Sequence, residues 1–118
     1  MRALLIGSLL VATGVTGATS AAIAQQAAPG AARQQSLIRM VRQDCGSCHG
    51  MRLTGGLGPP LTREALADRP LEVVIASIVH GRPGTPMPPW KTMLNEPDAV
   101  WIAQQLRAGF PEETRVAQ

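Results

Sequence analysis

Five consecutive residues, Cys45-Gly46-Ser47-Cys48-His49, carry the clearest chemistry in this chain. Two thiols separated by two small residues, with an imidazole directly after the second, match the pattern by which haem c is attached to protein. Each thiol can add to one vinyl group of the same porphyrin, and the imidazole that comes next then lies beneath the iron as proximal ligand. Gly46 and Ser47 are small enough to let the backbone approach the macrocycle edge. Three plainer readings compete. A thioredoxin-type dithiol belongs in a βαβ context, and no alternating β pattern occurs in the chain. A tetrahedral zinc site needs four ligands, yet the sequence holds only 2 cysteines. A disulfide across so short a loop gives His49 no role. The motif therefore predicts covalent haem c on Cys45 and Cys48, with His49 on the iron.

A haem iron needs a sixth ligand or an open position. Downstream of the N-terminal apolar stretch the candidates are Met40, Met51, Met87, Met93 and His80. Met40 precedes the cysteines on the same helix, too close to reach round the ring. Met51 is tied to the proximal side by its nearness to His49. Met93 sits beside Leu94 ahead of the last helix, where a core position is one option. His80, at a helix end beside Gly81, reads as a surface residue that complements the helix dipole. Met87 lies in Thr85-Pro86-Met87-Pro88-Pro89-Trp90. Prolines lower the entropy of such a segment, so holding a weak thioether ligand costs less. Met87 is the expected distal ligand. Trp90 and Arg82 are candidates for the haem propionates, through an indole N–H and a guanidinium.

The elements that must position these residues are set by periodicity. Gln25 to Gln35 is rich in Ala and Gln around Pro29-Gly30 and reads as a flexible lead. Ser36 is a plausible N-cap, and Leu37, Ile38, Val41 and Cys45 recur at helical spacing, so a first helix runs into the cysteine motif. Gly50 to Pro60 is too dense in Gly and Pro for a helix or strand. A short helix is expected over Thr62 to Ala67. Leu71 to His80 is an apolar helix, with Leu71, Val74, Ile75, Ile78 and Val79 on one face and Gly81 as its stop. Arg82 to Trp90 must be extended or turned. Asn95 caps a last helix, with Pro97 in its first turn and Glu96 and Asp98 at its positive end. Its inward stripe is Ala99, Ile102, Ala103 and Leu106, Gly109 ends it, and Trp101 is expected where the first and last helices cross.

The chain has 118 residues, which allows one domain at most. Residues 1–24 read as a secretory signal peptide: Arg2, an apolar middle, and Ala22-Ile23-Ala24 at the cut. Thr and Gly dilute the second half of that stretch, which argues against a retained anchor. The chain beyond Ala24 is short for a core built from protein alone. With Phe110, Trp90 and Trp101 as its only aromatic residues, it needs a staple or a cofactor. A formal charge of +3, without any basic run, argues against nucleic acid as a partner.

The segments Gln43 to Gly50, Leu53 to Pro59 and Gly81 to Trp90 give the chain a resemblance. As a whole it resembles a monohaem class-I cytochrome c. More narrowly it resembles the c55X cytochromes encoded with the haem-cd1 nitrite reductase of denitrifying bacteria. Class-I cytochromes carry a Gly-Pro-x-Leu segment after the attachment motif, here Gly58-Pro59-Pro60-Leu61. The resemblance implies that the Pro59 carbonyl accepts a hydrogen bond from the His49 ring N–H and that Leu61 packs on the haem. It implies an all-α class-I cytochrome c fold, with three main helices plus a short one around a covalently bound haem c. The domain would span residues 36–110, with a C-terminal tail at 111–118.

The function implied is periplasmic one-electron transfer by a monomer, to haem-cd1 nitrite reductase or another periplasmic redox protein. No acid, base or substrate pocket is evident, so a carrier is expected rather than an enzyme. A redox partner in d1-haem maturation and a haem sensor with an open distal site are the alternatives. Electrons should leave at an exposed porphyrin edge rimmed by Gly46, Ser47, Met51, Pro86, Pro88 and Pro89, with Arg52 and Arg82 at its flanks.

Overall fold

The computed structural model describes residues 27–113. The expected signal peptide, and the tail beyond Glu113, lie outside the described residues. Helix α1 spans Ala31–Met40 and continues through a π-helical turn, Val41–Cys45, into the short α2, Gly46–His49. Helix α3 spans Leu71–His80 and α4 Glu96–Ala108. Among the described residues there is no strand.

The first helix starts earlier than the cap signal at Ser36 suggested. Gly30 is its extended N-cap, and Gln34 N–H donates to the Gly30 carbonyl at 2.9 Å. Ala31 to Gln35 are strong helix formers once the chain has left Pro29. Ser36 lies inside the helix, its hydroxyl donating back to the Ala32 carbonyl at 3.2 Å. Residues 31–35, expected in the flexible lead, are therefore ordered helix. The short helical piece also falls elsewhere than expected, at Gly46–His49. Residues 62–69 form turns, in which Leu66 N–H reaches the Thr62 carbonyl at 3.1 Å and the Thr62 hydroxyl accepts from Ala65 N–H at 3.3 Å. A segment this short, stopped by Pro70, gains too few i→i−4 bonds to offset helix nucleation.

Helices α3 and α4 fall where the sequence pattern places them. Val74 and Ile78 of α3 are buried, with Leu71, Ile75 and Val79 half-buried beside them. In α4 the buried set is Ala99, Trp101, Ile102, Ala103 and Leu106, together with Asp98. Each fully buried Ile or Leu side chain contributes roughly 1.5–3 kcal/mol. Helix α4 begins with a reciprocal cap: Asn95 Oδ1 accepts from Asp98 N–H at 2.9 Å, and the Asp98 carboxylate accepts from Asn95 N–H at 3.3 Å. Asp98 is also the anchor for α1, because Arg33 Nη2 donates to its Oδ2 at 2.6 Å and Arg33 Nε to the same oxygen at 3.2 Å. The carboxylate is buried while Arg33 is partly exposed. Loss of Arg33 is expected to cost ~1–3 kcal/mol, chiefly through the desolvated acid left behind. Trp101 packs in the same core as Leu37, Ile38 and Val41 of the first helix, and its ring meets Phe110 edge-on at 6.3 Å.

Candidate haem site

An apolar cleft of about 810 Å³ lies between the first helix, the 57–66 segment, α3, the 82–90 segment and α4. It falls in the size range of sites that engulf a small cofactor. Cys45, Cys48 and His49 line one side, and Met87 and Trp90 come from the 82–90 segment. Leu61, Val74, Ile78, Ile102 and Leu106 supply apolar walls. All four residues expected from the sequence to bind haem thus face one cleft.

The attachment side is tightly organised. Helix α2 ends at Gly50, which leaves its last carbonyls without helical partners. The loop supplies them: Gly58 N–H donates to the Cys48 carbonyl at 2.8 Å and Gly55 N–H to the His49 carbonyl at 2.8 Å. His49 is buried, and its Nδ1 lies 2.7 Å from the Pro59 carbonyl oxygen. A carbonyl only accepts, so Nδ1 carries the proton, and in the neutral imidazole Nε2 is then the nitrogen with the lone pair. That is the tautomer a metal-binding imidazole needs. Gly58 is required by contact, because a Cβ there would sit 2.8 Å from His49 Nδ1 and Cε1.

One residue of this loop carries no distinguishing signal in the sequence. Leu53 is buried at 2% exposure with φ +61, a left-handed conformation that costs a side-chain-bearing residue roughly 1–2 kcal/mol. Burial of its side chain offsets that cost, and its carbonyl accepts from Leu61 N–H at 2.8 Å. No periodicity marks such a residue inside a Gly-rich run.

Both cysteines are free thiols, Cys45 half-buried and Cys48 exposed. Burial, and next the nearby Asp44 charge, push the Cys45 thiol up to about 11. A dithiol built for exchange lowers its attacking thiol instead. Among the described residues no group of three or more His, Cys, Asp or Glu side chains is placed to hold a metal ion, as a zinc site would require. The site instead fits haem: two unpaired thiols on one edge, an imidazole with Nε2 free, apolar walls and a thioether.

The other candidates separate by position. His80 is exposed, Met93 and Met51 are 55% and 60% exposed, and none of the three lines the cleft. Met40 does reach the cleft wall, but from the helix that carries the cysteines. Met87 is half-buried, in a segment folded back on the end of α3. Gly81 has φ +66, and a Cβ there would lie 2.6 Å from the Met87 carbonyl oxygen. Arg82 N–H donates to that carbonyl at 3.2 Å, while Trp90 N–H and Lys91 N–H reach the Ile78 and Val79 carbonyls at 3.1 and 3.3 Å. Thr85 braces the bend: its hydroxyl donates to the Arg82 carbonyl at 2.7 Å and accepts from Met87 N–H at 3.3 Å. Arg69 and Arg82 are exposed residues on the cleft rim, and only the second was expected there.

A profile described as cytochrome C oxidase, cbb3-type, subunit III matches residues 21–105. Cytochrome c55X of Stutzerimonas stutzeri is 53% identical over 90 residues, 76% of this chain and 80% of that protein. The chain belongs to the cytochrome c55X family of c-type cytochromes. As a c55X-type protein it is a haem c electron carrier and not an enzyme. The solved structure of a c-type cytochrome NirC superposes with a TM-score of 0.67 at 54% identity, over 68% of this chain and 94% of that one. A dihydro-heme d1 dehydrogenase, NirN, aligns with a TM-score of 0.55 at 31% identity, over 68% of this chain and 17% of that one.

The rim expected for electron exit is corrected at one position and extended at another. Gly46 is buried beneath Met51, so it offers no surface. Ser47, Met51, Pro86, Pro88 and Pro89 are exposed. Leu57, which was not among the expected rim residues, is 95% exposed at the mouth of the cleft. Loop position alone does not tell an exposed leucine from a buried one such as Leu53.

Proposed function

We propose that this cytochrome holds one haem c through thioether bonds from Cys45 and Cys48, with His49 and Met87 as axial ligands. It carries single electrons in the periplasm to haem-cd1 nitrite reductase. The observation that carries the ligand assignment is the Pro59 tie on His49 Nδ1, which leaves Nε2 free in a cleft that Met87 lines from another segment. Bound haem c supplies the one-electron couple, and thioether ligation raises its potential relative to two imidazoles. The chain contributes position and a low-dielectric surround. Arg69 and Arg82 on the rim and Trp90 in the wall offer donors for the propionates. Export rests on the signal-type segment at 1–24. Among the described residues no helix is long and apolar enough to cross a membrane.

Stopped-flow mixing of the reduced protein with oxidised haem-cd1 nitrite reductase tests the partner. Rapid reoxidation with matched reduction of the enzyme is expected. Absence of transfer at any concentration removes nitrite reductase as acceptor.

The second reading is a redox partner in d1-haem maturation, and the likeness to a segment of a dihydro-heme d1 dehydrogenase favours it. Dehydrogenation of a dihydro-haem releases two electrons and two protons, so a single-haem acceptor would serve in two successive encounters. Deletion separates the two readings. Nitrite reductase purified from the deletion strain retains d1-haem if this protein is only a carrier, and lacks it if the protein is needed for maturation.

A further inference from the structure

The π-helical turn before the attachment motif contains a charged residue that the haem chemistry does not explain. Arg42 is only 7% exposed, and buried charges persist only when paired or hydrogen-bonded. Its Nη2 donates to the Phe110 and Pro111 carbonyls, each at 2.9 Å, and its Nε donates to the Pro111 carbonyl at 3.3 Å. Its Nη1 donates to the Met51 carbonyl at 3.4 Å, and its guanidinium carbon lies 5.6 Å from the centre of the Phe110 ring. Glu112 is 3.1 Å away, but its side chain is 90% exposed, so water screens that pair and it contributes little. The neutral carbonyls are what hold the charge.

We propose that Arg42 is a positioning residue of the haem site: it ties the segment after α4 to the attachment turn and so steadies the loop that orients His49. The connection is continuous. Residues Phe110 and Pro111 come directly after the end of α4 at Gly109, and Arg42 folds them against the first helix. The same guanidinium holds the Met51 carbonyl at the start of the loop whose far end, Pro59, fixes the imidazole. The Pro111 carbonyl is thereby held against the folded domain, one residue beyond the boundary expected at 110. The planar fork spreads its donors over three carbonyls from two segments, a span that the compact ammonium of a lysine matches poorly. With the tie cut, the loop loosens and water reaches the proximal side. A more polar surround favours the oxidised iron and lowers the potential.

The inference rests on His49 being an iron ligand. The test compares holoproteins of the wild type, Arg42→Gln, Arg42→Lys, a chain ended after Gly109, and Arg42→Gln combined with that truncation. Midpoint potential and solvent exchange of the ¹⁵N-labelled His49 Nδ1–H are read on each. Both single changes, Arg42→Gln and the truncation, are expected to lower the potential and speed the exchange. Arg42→Lys should resemble Arg42→Gln, and the combined variant should shift by less than the sum of the two single changes. Wild-type values in Arg42→Lys would reduce the role to charge alone, and additive shifts would break the link to the C-terminal segment. Unmoved potential and exchange in variants that merely melt earlier would leave Arg42 an ordinary core residue. Any of these overturns the proposal, whereas a wild type without covalent haem would overturn the haem reading itself.

Discussion

Across the cleft the two sides are held by different means. On the attachment side, residues 41–61 are crossed by backbone bonds from the 50–61 loop, by the buried Arg42 fork and by buried Leu53. On the opposite side, residues 82–89 run almost entirely exposed, with Met87 alone half-buried. That stretch depends on prolines, on Thr85 and on the return of Trp90 and Lys91 to the end of α3. One side is fixed by packing and satisfied polar groups, the other by a restricted unfolded state and a few bonds. Such a division suits the proposed ligand pair, in which His49 must stay put while a weak thioether from Met87 is held at low cost. It also predicts that faults on the two sides look different.

The largest effect should come from removing the thiols. In Cys45→Ala/Cys48→Ala, haem staining on a denaturing gel is expected to vanish; a band of normal intensity would defeat covalent attachment. Single substitutions should sharply lower holoprotein yield.

Met87→Ala should leave covalent haem intact while abolishing the weak long-wavelength band of sulfur-to-iron ligation in the ferric spectrum. The potential should fall, and the reduced protein should bind carbon monoxide at neutral pH. If the band survives in Met87→Ala and is lost in Met40→Ala, the ligand has been assigned to the wrong wall of the cleft.

A matched glycine pair sharpens the comparison further. Gly58→Ala forces a methyl into the His49 ring, and overpacking of this kind costs ~1–3 kcal/mol. It should disturb the proximal bond and the yield of holoprotein. Gly81→Ala strains a φ of +66 and crowds the Met87 carbonyl. It should lower the melting temperature and weaken the sulfur band, with attachment unaffected. Equal loss of attachment in both variants would contradict the division between the two sides.

The smallest effect concerns the exposed rim. Leu57→Glu or Pro88→Glu should slow electron delivery by about five-fold, equivalent to ~1 kcal/mol of docking energy, with the potential nearly unchanged. Ionic strength should matter only mildly, because few charges stand among the rim residues. A many-fold fall in rate on adding salt, with no effect of either substitution, would instead point to steering by Arg52, Arg69 and Arg82.

By itself the sequence determined the attachment motif, the apolar faces of α3 and α4, the Asn95 cap and the proline-braced methionine. Each of these is a local pattern: a fixed spacing, a period of about 3.6 residues, or a residue type that only one backbone geometry favours. The first helix start was legible only in part, because Ser36 resembles a cap locally while Gly30 performs that role through the chain's path. Tertiary structure alone decided that Met40 also faces the cleft, that Leu57 is exposed while Leu53 is buried, and that Gly46 is covered by Met51. It also decided the partners of Arg42, which lie at Met51 and in the segment after α4. A guanidinium's acceptors so distant along the chain leave no trace in local periodicity. They are selected when the helices pack and a buried charge must find every carbonyl within reach.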